Sequence, residues 1–291
     1  MKMMIFGLGY SGRAIAEKLN TEQGAGTVMG TTRSAEKAEA LSQAGTDAFI
    51  FDGVLTEDLK QALTGVTHLL LSAAPSESGD PVLPALGDDL KALMPDLQWI
   101  GYLSTVGVYG DFGGAWISET VEPAPVSKRG QWRVDAETAW RAAAKQAGVP
   151  FAIIRLAGIY GPGRSPLDKL RQGKSRRILK PGQVFNRIHV ADIAQIASAA
   201  ALKSASGVFN GADHEPAPPQ TVIEYAASLI GMDPPPAENF DTAEMTPMAR
   251  SFYSDNKRCG NSRLSKDLGM SLTYPTYREG LTAILEAEAS R

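Results

Sequence analysis

Cysteine is nearly absent: Cys259 stands alone in 291 residues. A lone thiol makes no intrachain disulfide, so the expectation is a chain that folds under reducing conditions. Its surroundings, KRCGNS, offer no histidine to activate it, and Cys259 is read as inert. No apolar run approaches the ~20 residues that a membrane span requires. Charge excess of one sign is missing as well, since 29 Lys and Arg against 32 Asp and Glu leave a net charge of −3. No overall field therefore draws the chain to nucleic acid or to an acidic membrane. Internal repeats and low-complexity tracts are lacking, and no metal is expected. The opening MKMMIFGLGYSG enters a strand almost at once. That leaves no room for a signal peptide, so the cytoplasm is the expected compartment.

What is present is an ordinary globular composition, 43% hydrophobic and 21% charged, in a length that suits one large domain or two. Short apolar runs alternate with helical patterns over the first 160 residues. MMIFGLG, TVMGTTR, DAFIFDG, THLLLSAAP, QWIGYLST and PFAIIRLAG read as six strands. SGRAIAEKL, AEKAEALSQAG, PALGDDLKALM and the stretch from Arg129 read as helices between them. The strands are continuous apolar runs, the pattern of a parallel sheet covered on both faces. An α/β doubly wound sheet of Rossmann type follows. Beyond residue 160 the chain is rich in loops and prolines, with one alanine-rich helix, HVADIAQIASAAALKS. We expect a dinucleotide-binding domain over residues 1–160 and 187–212, and a smaller substrate lobe over 161–186 and 213–291.

GLGYSG places Gly7, Gly9 and Gly12 in the spacing G-x-G-x-x-G between a strand and a helix. The first glycine permits the tight turn, the second the approach of a pyrophosphate, and the third close packing of helix on strand. Tyr10 and Ser11 fall in the first helical turn, whose free N–H groups suit phosphate. The second strand ends in GTTRS, with Thr32 and Arg33 where an NAD-preferring site usually carries an acid. Arg33 can meet a 2′-phosphate, so NADP is favoured over NAD. Asp52, Ala73 and Ala74 end the third and fourth strands and border the expected adenine and ribose.

LSTVGVYG (103–110), RLAGIYGPG (155–163), NRIHVADIA (186–194), GVFNGAD (207–213) and SRLSKDLGMSLTYPTYREGL (262–281) follow in order. With these motifs the chain resembles the extended short-chain dehydrogenase/reductases, the NAD-dependent epimerase/dehydratase group. The resemblance implies a Rossmann domain with a C-terminal substrate lobe and suggests a homodimer. It implies a catalytic Ser/Thr at Thr105, with Tyr109 lining the substrate site. It also implies nicotinamide contacts at Gly158 and Ile159, and places Tyr160 and Arg164 near the substrate. His189 and Asp192 match a segment that packs the lobes together.

One departure is large. The helix that carries Tyr-x-x-x-Lys in the family reads RGQWRVDAE here, with Arg129 and Arg133 in those positions. A guanidinium stays protonated at working pH and relays no proton. Arg133 can still hold ribose hydroxyls, and Arg129 can meet an anionic substrate. Alternatively, both sit on a solvated helix edge, with Arg133 paired to Glu137 one turn on. Tyr109 is the first candidate to replace the missing acid–base group, followed by Tyr160, His189, Lys128 and Asp111. Residues 164–187 hold eight Lys and Arg against one acid, Asp168. Such a run is usually a solvated face, and it could also contact an anionic substrate such as a nucleotide sugar. Two readings stay open: an NADP-dependent oxidoreductase or epimerase with a rearranged proton relay, and an inactive NADP-binding sensor.

Overall fold

The computed structural model describes residues 1–290. Seven parallel strands form the central sheet: β1 (Met3–Phe6), β2 (Val28–Thr32), β3 (Asp47–Ile50), β4 (His68–Leu71), β5 (Trp99–Thr105), β7 (Phe151–Leu156) and β11 (Gly207–Gly211). Their order is β11-β7-β5-β4-β1-β2-β3. The chain winds from β1 outward to β3, then returns to β4 and proceeds the other way, so the order reverses between β1 and β4. In such sheets the crevice beyond the strand ends at the reversal point is where ligands bind. The short strands β6 (Trp116–Ile117), β8 (Gly158–Tyr160), β9 (Arg177–Leu179), β10 (Arg187–His189), β12 (Ala237–Asn239) and β13 (Arg258–Cys259) form three parallel pairs outside the sheet.

Burial explains the apolar runs. Every residue of β1, β4 and β7 is buried. On one face α1 (Tyr10–Gln23) packs with α8 (Val190–Leu202), the alanine-rich helix, whose small side chains allow close approach. α2 (Ala35–Gln43) lies on that same face, with Leu41 against its core, and on the other lie α3 (Glu57–Leu63) and α6 (Lys128–Ala147), whose Trp140 is fully buried. The expected helix PALGDDLKALM is instead two single turns, α4 (Leu83–Leu86) and α5 (Leu90–Leu93). Gly87 takes a φ of +75° between them, and the Asp89 carboxylate caps the second turn through the N–H groups of Lys91 and Ala92. The chain here bends because Gly87 accepts left-handed φ at little cost.

A separate apolar cluster joins Tyr160, Leu167, Leu170, Val222, Ala226, Tyr277 and Leu281. It holds α7 (Pro166–Arg171), α9 (Pro219–Leu229) and α12 (Tyr277–Ala289) together, and the short helix α10 (Pro247–Ser251) has no buried residue. Cys259 and, around α11 (Ser262–Lys266), Leu264, Leu268 and Leu272 join the sheet's own core instead. Part of the segment expected in the smaller lobe thus packs on the sheet body. Among the described residues no helix is long and apolar enough to cross a membrane.

Candidate functional site

The glycine turn lies at the strand-order reversal. Gly7 has φ +104°, and a Cβ there would come within 2.9 Å of the Ala73 nitrogen at the end of β4. A Cβ on Gly12 would sit 2.4 Å from the Gly7 carbonyl oxygen. Both glycines are therefore demanded by the fold. Gly9 is different: a Cβ there would meet nothing within 4 Å. Gly9 also serves as the N-cap of α1 without a side-chain cap or an acid in the first turn, which leaves the helix N-terminus free. The space over Gly9 and those N–H groups fit a pyrophosphate.

Around this turn the other expected cofactor residues hold separate positions. Thr31 accepts the Gly7 N–H on its hydroxyl, 3.1 Å away. Ser11 is buried beneath the turn and Tyr10 reaches across it, its hydroxyl donating to the Pro162 carbonyl at 2.9 Å. Thr32 and the exposed Arg33 end β2 beside β3. Asp52 is exposed just past β3 and accepts the Val54 N–H. The Ala73 N–H donates to the Phe6 carbonyl, which fixes the loop carrying Ala74.

A cleft of about 1650 Å³ opens from Ser11 and Ser72 towards the smaller lobe. Thr105, Arg129, Arg133, Gly158, Ile159, Tyr160 and Arg164 all line it. The first turn of α6 is pressed against the turn after β5, since a Cβ on Gly130 would lie 2.7 Å from the Pro125 Cβ and 3.0 Å from the Gly107 carbonyl. Ser127 caps that helix by accepting the Gly130 N–H. This seating carries both arginines to the cleft. Arg133 donates to the Leu103 carbonyl at 2.6 Å and stands 5.8 Å above the Tyr102 ring. Arg129 is exposed on the cleft wall. Arg164 leans over the Tyr10 ring at 5.5 Å, joining the cofactor turn to the lobe.

Two expectations are corrected here. Arg133 does not pair with Glu137. That carboxylate is buried and takes a two-pronged contact from Arg155 of β7, with Nη2 to Oε2 at 2.7 Å and Nε to Oε1 at 3.2 Å. The Ser104 hydroxyl adds a third bond to Glu137 at 2.5 Å. Tyr109 does not line the cleft either. Its side chain is fully buried, its hydroxyl donates to Asn210 at 2.7 Å, and the Arg155 guanidinium lies 4.6 Å from its ring centre. Burial pushes its pKa up to about 12. Tyr109 thus belongs to a buried polar network under β5, not to the reacting surface.

Of the remaining acid–base candidates, Tyr160 and Lys128 reach the cleft, and burial raises the Tyr160 pKa. His189 is enclosed between the rings of Tyr160 and Tyr274, caps α8 through the Ala191 N–H, and is pushed down to about 4 by burial. Asp192 accepts the N–H groups of Thr273 and Tyr274, which fits the expected packing role. Asp111 is held below its ordinary pKa by the N–H groups of Gly113 and Asn256 and orders a turn.

The basic run 164–187 is mostly tied into the lobe. Arg171 pairs with Glu288, Arg176 with Glu238 and Arg177 with Glu224. Lys180 donates to the Tyr253 carbonyl. Sequence reasoning missed Lys257, Tyr253 and α10 as parts of the cleft wall. Tyr253 lies 73 positions along the chain from Lys180 of the basic run, and only folding brings these residues beside it.

No family model matches the chain. A functionally unknown conserved protein from Silicibacter pomeroyi has a solved structure that is 48% identical, covers 98% of each chain and superposes with a TM-score of 0.90. Protein YeeZ of Escherichia coli is 28% identical over 94% of this chain and 96% of its own length. The dTDP-glucose 4,6-dehydratase of Bacillus anthracis, solved with NAD, is 16% identical, covers 100% of this chain and 97% of its own, and gives a TM-score of 0.80. Nucleotide-sugar 4-epimerases, two of them solved with NAD, share the fold at 17–20% identity, a likeness of architecture alone. The chain belongs to the family of the Silicibacter pomeroyi protein, and its fold is that of the NAD-dependent epimerases and dehydratases.

Proposed function

We propose that this chain is an NADP-dependent enzyme of the epimerase/dehydratase type, acting on a small anionic substrate with a non-standard proton relay. One observation carries the reading. Gly9 has open space above it, and Ser11, two residues on, lines a single cleft walled by Thr105, Arg129, Arg133 and Arg164. In this reading Gly9 and the first turn of α1 hold the pyrophosphate. Arg33 meets the 2′-phosphate, Asp52, Ala73 and Ala74 border the adenosine, and Arg133 holds the nicotinamide ribose beside Gly158 and Ile159. The bound cofactor supplies the hydride acceptor or donor. Arg129 and Arg164 attract and orient the anionic substrate, with a nucleotide sugar as the class that the neighbours' activities suggest. Thr105 hydrogen-bonds the reacting oxygen, and the proton exchanges through Tyr160 or with water in the open cleft. We also propose that the lobes divide the work, with 1–160 and 187–212 for the cofactor and 161–186 and 213–291 for the substrate.

A second reading, an inactive NADP-binding sensor, is favoured by the two arginines, because neither transfers a proton. Deuteride transfer separates the readings. Incubation with 4-deuterated NADPH and 4-keto nucleotide sugars should place deuterium on the sugar, as seen by mass spectrometry. NADPH binding without any transfer would favour the sensor.

A further inference from the structure

Arg187 has no part in the function above, yet it lines the cleft. It lies on β10 directly opposite Gly158 of β8. A Cβ on Gly158 would come within 4.0 Å of the Arg187 Cγ, so the side chain runs beside the strand that faces the proposed nicotinamide position. Its Nη1 donates to the Phe185 carbonyl at 2.9 Å and to the Ala217 carbonyl at 3.2 Å. Those two bonds fix the guanidinium plane and occupy one nitrogen. The Nε–Nη2 edge has no protein acceptor among the described residues, and Arg187 lines the cleft. Two parallel N–H donors in one plane match the two oxygens of a carboxylate.

No acid near Arg187 takes a hydrogen bond from its guanidinium. Glu215 pairs with Arg278. Asp213 is buried with its Oδ2 unpartnered, and burial raises its pKa to about 8 against the opposing pull of the Arg187 charge. Desolvation lowers the pKa of Arg187 itself, with the charge of Asp213 opposing that shift. The groups that act on it besides burial are Asp213, Tyr277, Tyr160 and Glu215, with no second cation among them.

We propose that Arg187 is a binding seat for a carboxylate carried by the substrate, gripped through Nε and Nη2 at the reacting end of the cleft. The inference rests on the cofactor reading only for where that reacting end lies. One guanidinium balances one negative charge. A phosphate dianion would leave a further charge uncompensated in a partly desolvated place, at a cost that a carboxylate avoids. Arg187 thereby differs from Arg129 and Arg164, which line the same cleft but are exposed.

The test uses three pyranoses that differ at C6: glucuronate, glucuronamide and glucose 6-phosphate. Their binding is measured by calorimetry on the full chain, with and without saturating NADPH. Glucuronate should bind about tenfold or more tightly than its neutral amide, and more tightly than the phosphate. Arg187→Leu should abolish that advantage. Arg187→Lys should keep an advantage over the amide but lose the preference for carboxylate over phosphate, since an ammonium offers no planar fork. Circular dichroism shows whether each variant folds, and the wild-type ranking stands as a test if Arg187→Leu does not. Equal binding of glucuronate and its amide, stronger binding of the phosphate, no glucuronate binding at tens of millimolar, or a preference that survives in folded Arg187→Leu would each overturn the seat. If the ranking holds while NADPH fails to bind, the seat stands and the cofactor reading falls. NADPH binding without the ranking does the reverse.

Discussion

At the scale of single residues, the three glycines of GLGYSG separate into two kinds. Gly7 and Gly12 are glycines because protein atoms crowd them, whereas Gly9 has open space where a side chain would go. Gly12→Ala should therefore destabilise the fold by about 1–3 kcal/mol, read by urea denaturation. Gly9→Val should leave stability nearly unchanged and weaken NADPH by about tenfold or more, because the methyls occupy the pyrophosphate space. A binding-competent Gly9→Val would show that the turn serves only the fold. Asp213 gives a second residue-scale prediction. Its folded pKa of about 8 lies above the unfolded value of ~3.9, so the folded state keeps a proton that the unfolded state releases. Stability from this group is full at low pH and is lost as pH rises to 8. His189 acts in the opposite sense: its folded pKa of about 4 makes stability fall as pH drops from ~6.5 towards 4. Asp192, raised to about 6, opposes His189 in that lower window. The interval from 6.5 to 8 thus belongs to Asp213. Asp213→Asn should flatten the decline there, as followed by urea midpoints across pH.

At the scale of elements, α6 is held by a buried ion pair rather than by the ladder of surface charges that its sequence suggests. The one-turn spacing of Arg133 and Glu137 invited a local pair, but Arg155 of β7 claims Glu137 with better geometry and full burial. Glu137→Ala leaves the Arg155 charge buried without its partner and should cost about 3–5 kcal/mol. A loss below about 1 kcal/mol would mean that water or another acceptor replaces the carboxylate. Because α6 carries both cleft arginines, the same substitution should loosen their placement. Tyr109 teaches a related lesson. It follows Thr105 by four residues, close enough in sequence to suggest a shared site. The 3₁₀ turn from Val106 to Tyr109 instead directs its ring under the sheet towards Asn210 of β11, about 100 positions away.

At the scale of the whole molecule, the sheet was legible because parallel strands buried on both faces must be apolar throughout, as β1, β4 and β7 are. The glycine turn was legible because its spacing is a steric demand. What could not be read were features created by distant contacts. Arg187 lies beside Gly158 only through pairing of β8 with β10. Lys257 reaches the cleft only through the return of the chain after β12. The break at Gly87 depended on a backbone angle that the amino acid permits and does not impose.

We propose that the glycine turn holds a dinucleotide beside a cleft whose arginines stand in place of an acid–base pair. The most direct test is fluorescence titration of the purified chain with NADPH and NADH, repeated on Arg33→Ala. The expected result is micromolar NADPH binding, weaker NADH binding, and loss of that difference in Arg33→Ala by about tenfold in affinity. Failure of both cofactors to bind below millimolar concentration would contradict it.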